Sequence, residues 1–306
     1  MNAIKRILLF WLGRGMRWFD FSGVQRIADC VGFLMWVFLF KRREETVRRI
    51  MHHLQVAEEK ARPIARASFF NTARSFMEIF LNKRFRMDYV HVENPHLLET
   101  MIAQDRAGVL VTAHFGSWEL MGSLISHTTH RPTMTVARQQ KDKVVSEFIK
   151  ELRGESRIAS VDHRSAAGPA LQCLRNHGLV GFFVDHNTQR QEAIFLPFMQ
   201  DTAAVNIGPA LLAVRAKAVV YPLFLRRDGL YTYTLSMDDP LDTQTLEGTL
   251  SEKIRQVAVF YTKAVEKKVL ENPEQWLWIH RRWKTRAPQD TQPKIQNTQS
   301  DSASEA

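Results

Sequence analysis

The stretch Gly108-Val-Leu-Val-Thr-Ala-His-Phe-Gly-Ser-Trp-Glu119 decides the fold. Its first six residues, to Ala113, form a short uncharged run of the kind a buried strand needs. Gly116 then permits a tight turn, and a helical pattern starts at Ser117 or Trp118. His114 and Glu119 stand five positions apart. On one continuous helix they would point about 140° away from each other, but with a turn between them they can meet. An imidazole just beyond the C-terminal end of a core strand sits where α/β enzymes place their sites.

The same texture repeats outward from this unit. Thr133 to Ala137, Leu179 to Val184 and Ala218 to Leu225 are further strand candidates, and Leu230 to Ser236 alternates aromatic and polar residues as an edge strand would. Helical patterns fall between them at 118–126, 144–152, 166–174 and 206–216, and a helix over 250–270 closes the unit. This alternation predicts an α/β fold: a single domain with a mostly parallel central sheet flanked by helices. Upstream, residues 44–81 read as helical and basic, with a break near Glu58-Glu59 and Pro63. Phe69, Phe70, Ala73, Phe76, Met77 and Phe80 recur there at helical spacing.

The N-terminus carries an apolar run from Ile7 to Leu12 and a second from Val31 to Phe40, followed by Lys41-Arg42-Arg43. Neither reaches the roughly 20 apolar residues of a spanning helix, and Asp29 interrupts any extension of the second. The expectation is an N-terminal hydrophobic membrane-anchor helix over residues 1–40 that lies in the interface, with one short crossing as the alternative. One folded domain would then occupy 41–286, and 287–306, rich in Pro, Gln, Ser and Asp, would be a disordered tail. The 306-residue chain holds 42 Lys and Arg against 32 Asp and Glu, a net charge of +10. Such a surface attracts anionic partners, and the interleaving of base with large apolar side chains over 1–66 suits a membrane better than a duplex groove. The two cysteines, Cys30 and Cys173, form no CxxC pair and read as small buried hydrophobes.

A His and an acid at this spacing are by themselves a weak motif, and a structural His114 is the other reading, but the chemistry such a pair can do is defined. A hydroxyl becomes a competent nucleophile when a neutral imidazole takes its proton during attack. A carboxylate on the other ring nitrogen fixes the tautomer and stabilises the imidazolium, as in a hydrolase triad with the substrate hydroxyl in place of serine. Competing motifs are absent: Gly154-Glu-Ser156-Arg-Ile158 lacks the last glycine of a nucleophile elbow, and there is no HExxH, GxGxxG or phosphate-binding glycine loop. His114 and Glu119 are therefore the candidate catalytic residues. Asp185, at the end of the apolar run 181–184, either orients an acceptor or caps a turn. His163, His177 and His186 lack metal-ligand spacing, and no metal is expected. Trp278, Arg281, Arg282 and Lys284, with Trp276, Trp283 and Arg286, would suit contact with a membrane or its headgroups. A nucleic-acid platform or a solvated charge run are the other readings of that cluster.

In order along the chain stand Ala67-Ser-Phe-Phe-Asn-Thr-Ala-Arg-Ser-Phe-Met-Glu78, Ala113-His-Phe-Gly-Ser-Trp-Glu119, Phe182-Phe-Val-Asp-His186, Phe195-Leu-Pro-Phe198, Thr202-Ala-Ala-Val-Asn-Ile-Gly208 and Pro273-Glu-Gln-Trp-Leu-Trp278-Ile-His-Arg-Arg-Trp-Lys-Thr-Arg286. Together they resemble the bacterial lipid A biosynthesis (lauroyl/myristoyl) acyltransferase family, related to glycerolipid acyltransferases with Asp where this chain has Glu119. Two departures, Asn-Thr-Gln after His186 and Trp283 where phenylalanine is usual, leave the acceptor open. The resemblance implies transfer of a fatty acyl chain from acyl carrier protein to a hydroxyl of a lipid A precursor in lipopolysaccharide biosynthesis. It implies no cofactor beyond the thioester donor, no nucleic-acid partner, and a catalytic domain on the cytoplasmic face of the inner membrane. It also implies an arginine at the oxyanion, Arg153 first and Arg157 second. A different glycolipid or glycerophospholipid acceptor is the in-class alternative, and a membrane-tethered protein that binds anionic lipid or nucleic acid is the out-of-class one.

Overall fold

The computed structural model describes residues 2–16, 18–137, 142–154 and 158–288. Four helices come first: α1 (Asn2–Met16), α2 (Phe21–Phe38), α3 (Phe40–Leu54) and α4 (Glu58–Met77). Alternation follows with β1 (Val90–Val92), α5 (Pro95–Ala103), β2 (Gly108–Thr112), α6 (Trp118–Thr129), β3 (Thr133–Ala137), α7 (Lys143–Gly154), β4 (Ala159–Asp162), α8 (Ala167–Arg175) and β5 (Leu179–Phe183). An antiparallel hairpin, β6 (Ala193–Phe198) with β7 (Asp201–Asn206), precedes α9 (Gly208–Arg215), β8 (Val219–Arg227), β9 (Tyr233–Met237), β10 (Leu241–Asp242) and α10 (Leu250–Glu271).

Every residue of β2 is buried. An uncharged run of that kind belongs at the centre of a sheet covered on both faces. β2 accordingly pairs in parallel with β5 on one side and β8 on the other, and the sheet runs β1-β9-β8-β2-β5-β3-β4, with β10 on β8. Successive side chains along β2 go to opposite layers. Val109, Val111 and Ala113 join Ala170, Ala210 and Tyr261 from α8, α9 and α10. Leu110 joins Met101, Leu120 and Leu124 from α5 and α6. The molecule is thus a single α/β domain with a mostly parallel central sheet flanked by helices.

Some expectations change. β9 is not an edge: it lies between β8 and β1 with all its residues buried, because β1, too short to stand out in the sequence, covers its far side. The break before α4 falls at Gln55, whose φ of 53° ends α3, while Pro63 lies inside α4. Cys30 is exposed on the outer side of α2, and Cys173 is half-buried. The tail expected from residue 287 lies outside the described residues except for its first two positions.

The N-terminal helices pack on this body. Phe21, Val24, Ala28 and Gly32 of α2 are buried. At Gly32 a Cβ would come within 2.9 Å of the Phe70 backbone, so α2 and α4 are in close contact there. Asp29 is paired with Arg74 of α4, at 2.6 and 3.0 Å. No single helix among the described residues is long and apolar enough to cross a membrane, and α2 and α3 meet at 90°.

A buried ion pair ties α4 to the sheet. Glu78, just after α4, and Arg227, at the end of β8, are both buried, with Nη2 to Oε1 at 2.7 Å and Nε at 3.1 Å. The same Oε1 accepts from Gln25 at 3.1 Å and from Ser117 and Tyr233 at 3.2 Å each. Removing one partner leaves a sealed charge. Arg227→Met should therefore cost about 3–5 kcal/mol, read as a lowered denaturant midpoint. Recovery of most of that loss in Arg227→Met/Glu78→Gln would attribute it to the stranded carboxylate.

Candidate active site

β2 and β5 run in parallel register with Thr112 opposite Phe183, and Val184 donates to the Thr112 carbonyl at 2.9 Å. The next residues on each strand therefore emerge side by side at the C-terminal end of the sheet. His114 and Asp185 meet there. The His114 backbone N–H donates to Asp185 Oδ2 and its Nδ1 lies against Oδ1, both at 2.9 Å. Trp276 Nε1 donates to Oδ2 at 2.8 Å. Burial would push the Asp185 carboxyl up. The charge and hydrogen bond of His114, with His280 and the indole, outweigh that and hold it well below the usual carboxylate range. An ionised carboxylate only accepts, so of the two ring nitrogens Nδ1 is the one that donates to Asp185. The imidazole is stacked on Phe183 at 4.5 Å, edge-on to Trp118 at 5.6 Å, and partly open to solvent.

The turn that carries His114 is clamped. Leu277 donates to the His114 carbonyl at 3.0 Å, Gly116 to that of Gln275 at 3.0 Å, and Ser117 to that of Leu225 at 2.8 Å. Gly116 has φ 56°, and a Cβ there would stand 2.0 Å from the Leu225 oxygen, so the position admits glycine alone.

Glu119 does not sit on His114. The structure places it in the first turn of α6, paired bidentately with Arg153 at 3.0 and 2.5 Å. The reason is direction: the turn ends before α6 begins, and Glu119 faces α7, which delivers Arg153. Glu119 holds the guanidinium's proton more firmly, raising its pKa. Arg157 lies outside the described residues. Both members of the pair line a narrow cavity of about 80 Å³ between α6 and the sheet. Trp118 and Phe183, which touch His114, share its wall, and Leu110, Met121 and Ile125 give it an apolar character. Thr112 lines it as well, and its buried hydroxyl has no hydrogen-bond partner among the described residues.

The C-terminal cluster divides. Arg281 and Lys284 are exposed. Trp278 and Arg282 are each 1% exposed and cannot touch a membrane. Trp278 packs against Trp276, while Arg282 donates to the carbonyls of His186, at 3.1 Å, and Ala204, at 2.5 Å. Backbone acceptors stranded at the hairpin recruit that guanidinium inward. Sequence reasoning overlooked Trp276 as a site residue and paired the wrong acid with His114. The signal available in the sequence was only that Asp185, like His114, follows an apolar strand run; that the two strands are neighbours comes from the fold. Elsewhere, His52, His53 and Asp201 bring three ligand atoms within 4.8 Å of one another. His53 lies flat on Trp283 at 3.4 Å with its Nδ1 buried and unpartnered. A metal on Nε2 would leave an N–H stranded at Nδ1, against the usual pattern of a supported ligand.

A family model described as bacterial lipid A biosynthesis acyltransferase matches residues 3–285. The chain is 26% identical over 294 residues to the lipid A biosynthesis lauroyltransferase of Escherichia coli (strain K12), covering 92% of this chain and 93% of that protein. It is 26% identical over 295 residues to the palmitoleoyltransferase of the same organism, covering 92% of each. A lipid A biosynthesis acyltransferase of Haemophilus influenzae is 27% identical over 186 residues, 60% of this chain and 57% of that one.

Burial pushes the imidazoles of His53 and His280 down to about 4. His53, whose Nδ1 has no acceptor, stays neutral in the fold where the unfolded chain, with an ordinary value of about 6.5, already takes up protons. Stability that is complete above about pH 6.5 is therefore lost as pH falls toward 4. The urea midpoint should drop between about pH 7 and 5, and His53→Phe should make that fall shallower.

Proposed function

The chain belongs to the bacterial lipid A biosynthesis acyltransferase family, and on that footing we propose that it moves a fatty acyl chain from acyl carrier protein to a hydroxyl of a lipid A precursor. The pairing of His114 with a buried, ionised Asp185 carries this reading. Nε2 of His114 takes the acceptor's hydroxyl proton as its oxygen attacks the thioester carbonyl carbon. The C–O ester bond forms, the C–S bond breaks, and the imidazolium returns its proton to the departing thiolate. Asp185 holds the ring and stabilises its charge. Glu119 acts through Arg153, which it fixes at the mouth of the cavity where the carbonyl oxygen becomes negative. The apolar cavity behind offers room for the carbons next to the thioester rather than for a whole acyl chain. Transfer needs only the acyl thioester and these side chains.

The positions of the apolar side chains support work at the cytoplasmic face of the inner membrane. α1 and α2 bury one face on the domain and leave Leu8, Trp11, Phe33, Leu34 and Phe38 in the open, the last 71% exposed. Lys41 and Arg48 lie nearby on α3, exposed and suited to anionic headgroups. Residues 1–40 would lie on the membrane by this face rather than as a separate anchor. The net charge of +10 would also speed encounter with an acidic carrier.

His114→Ala should abolish transfer from an acyl thioester, and because it strands Oδ1 of the buried Asp185 it should also lower the denaturant midpoint while leaving the chain folded. Asp185→Asn should lower kcat by about 10³–10⁴, because the amide favours the wrong tautomer. Glu119→Gln should be milder than His114→Ala. Wild-type turnover in His114→Ala would sink the base assignment. Mass spectra of lipid A from cells with and without the protein identify the acceptor, and an unchanged lipid A beside a changed phospholipid would select the glycerophospholipid alternative.

Phe33→Ser/Phe38→Ser/Phe40→Ser alters only exposed positions. It should shift much of the protein from the membrane to the soluble fraction on sedimentation, while activity on detergent-dispersed acceptor persists. Undiminished sedimentation would show that this face is not the main contact.

A further inference from the structure

We infer that Trp276 is a positioning residue for the Asp185–His114 pair, its indole N–H fixing which oxygen of the carboxylate serves the imidazole. The inference rests on His114 as the base. Trp276 is fully buried, and its rings pack against Trp278 at 4.7 Å, His280 at 4.8 Å and Phe198 at 5.8 Å. Core packing accounts for the rings but not for the direction of the nitrogen. Indole N–H is a donor only, and here it ends 2.8 Å from Oδ2 of the one carboxylate that holds His114. That oxygen also takes the His114 backbone N–H at 2.9 Å, and with both donors in place Oδ1 is left for Nδ1. Two donors on one oxygen set the plane of the carboxylate. Without the indole, the His114 backbone and ring remain as its donors, and Oδ2 loses the one bond that comes from outside that residue.

The bond also sets how much negative charge faces the imidazole. A donor on Oδ2 draws charge from the carboxylate, so the pair holds an extra proton less tightly than it would without the indole. The other charged or titratable groups around Asp185 are His186, His280 and Arg282. All three keep their own backbone partners whether or not the indole is present: Phe183 for His186, Leu277 and Asp185 for His280, His186 and Ala204 for Arg282. The backbone of Trp276 has a separate task, bridging to Phe115. Substitution of the side chain therefore isolates the N–H.

Trp276→Phe keeps an aromatic ring and deletes the donor. The test is the pH dependence of kcat/KM for an acyl thioester donor and the lipid acceptor, on the full chain in detergent. Without the N–H the pair binds its proton more tightly, so the acid limb should move up by about one pH unit. Near neutral pH the rate should fall by up to about tenfold, with recovery at higher pH. In an Asp185→Asn background Trp276→Phe should move nothing further. If Trp276→Phe folds poorly, benzothienylalanine at position 276, isosteric with tryptophan but lacking the N–H, replaces it and should give the same shift. A profile lowered evenly at all pH values, or one unchanged, overturns the inference and leaves Trp276 as core. Retained turnover in His114→Ala would instead remove the premise that His114 is the base, a separate result from any obtained at position 276.

Discussion

A carboxylate sealed from water keeps its charge only if the protein supplies every donor that water would have supplied. Asp185 is in that position, and its donors come from different parts of the chain. The strand ending at Thr112 supplies the His114 backbone and ring, and the segment after α10 supplies an indole. Parallel register between β2 and β5 is what brings the first two within reach, so the site depends on sheet pairing before it depends on any side chain. The buried Glu78 repeats the arrangement behind the turn, accepting from α2, β8, β9 and Ser117 on the same oxygen. Two buried carboxylates thus flank the turn from 114 to 117, Asp185 bonded through both oxygens and Glu78 through Oε1 alone, its Oε2 having no hydrogen-bond partner among the described residues.

Much of the fold was legible because the strands that matter are uncharged and bounded by polar residues. Gly108–Thr112 and Leu179–Phe183 could be read almost to the residue. The β6–β7 hairpin and the short β1 and β4 were not, since Pro197 breaks one pattern and three or four residues give no period. His114 stood out from its place past a strand. Its partner did not, because Glu119 was near in sequence and Asp185 near only in space. Strand order across β2 and β5 is tertiary information, absent from any local window. For the same reason Arg282 looked like surface charge: the carbonyls that draw it in belong to residues 186 and 204.

The two layers around the sheet do different work. On the α8–α9–α10 side the core is continuous and closed. On the α6 side the packing opens into the cavity beside Glu119 and Arg153, and Gly122, where a Cβ would lie 2.4 Å from Ile158, sets its width. Leu8, Trp11 and Phe33 lie open to solvent on α1 and α2. Burial of one face of α2 against α4 is what orients the other, so the exposed face has a fixed direction relative to the site.

The clamp formed by residues 275–277 has a consequence for biogenesis. A ribosome makes α1 and α2 first, and they are complete long before the segment that fastens His114 and Gly116 exists. Until that segment leaves the exit tunnel, the turn lacks its backbone partners and Asp185 lacks a donor. The nascent chain thus exposes its greasy helices early and completes its reactive centre last. A chain that stops short of residue 275 lacks the backbone partners of His114 and Gly116 and the indole donor to Asp185.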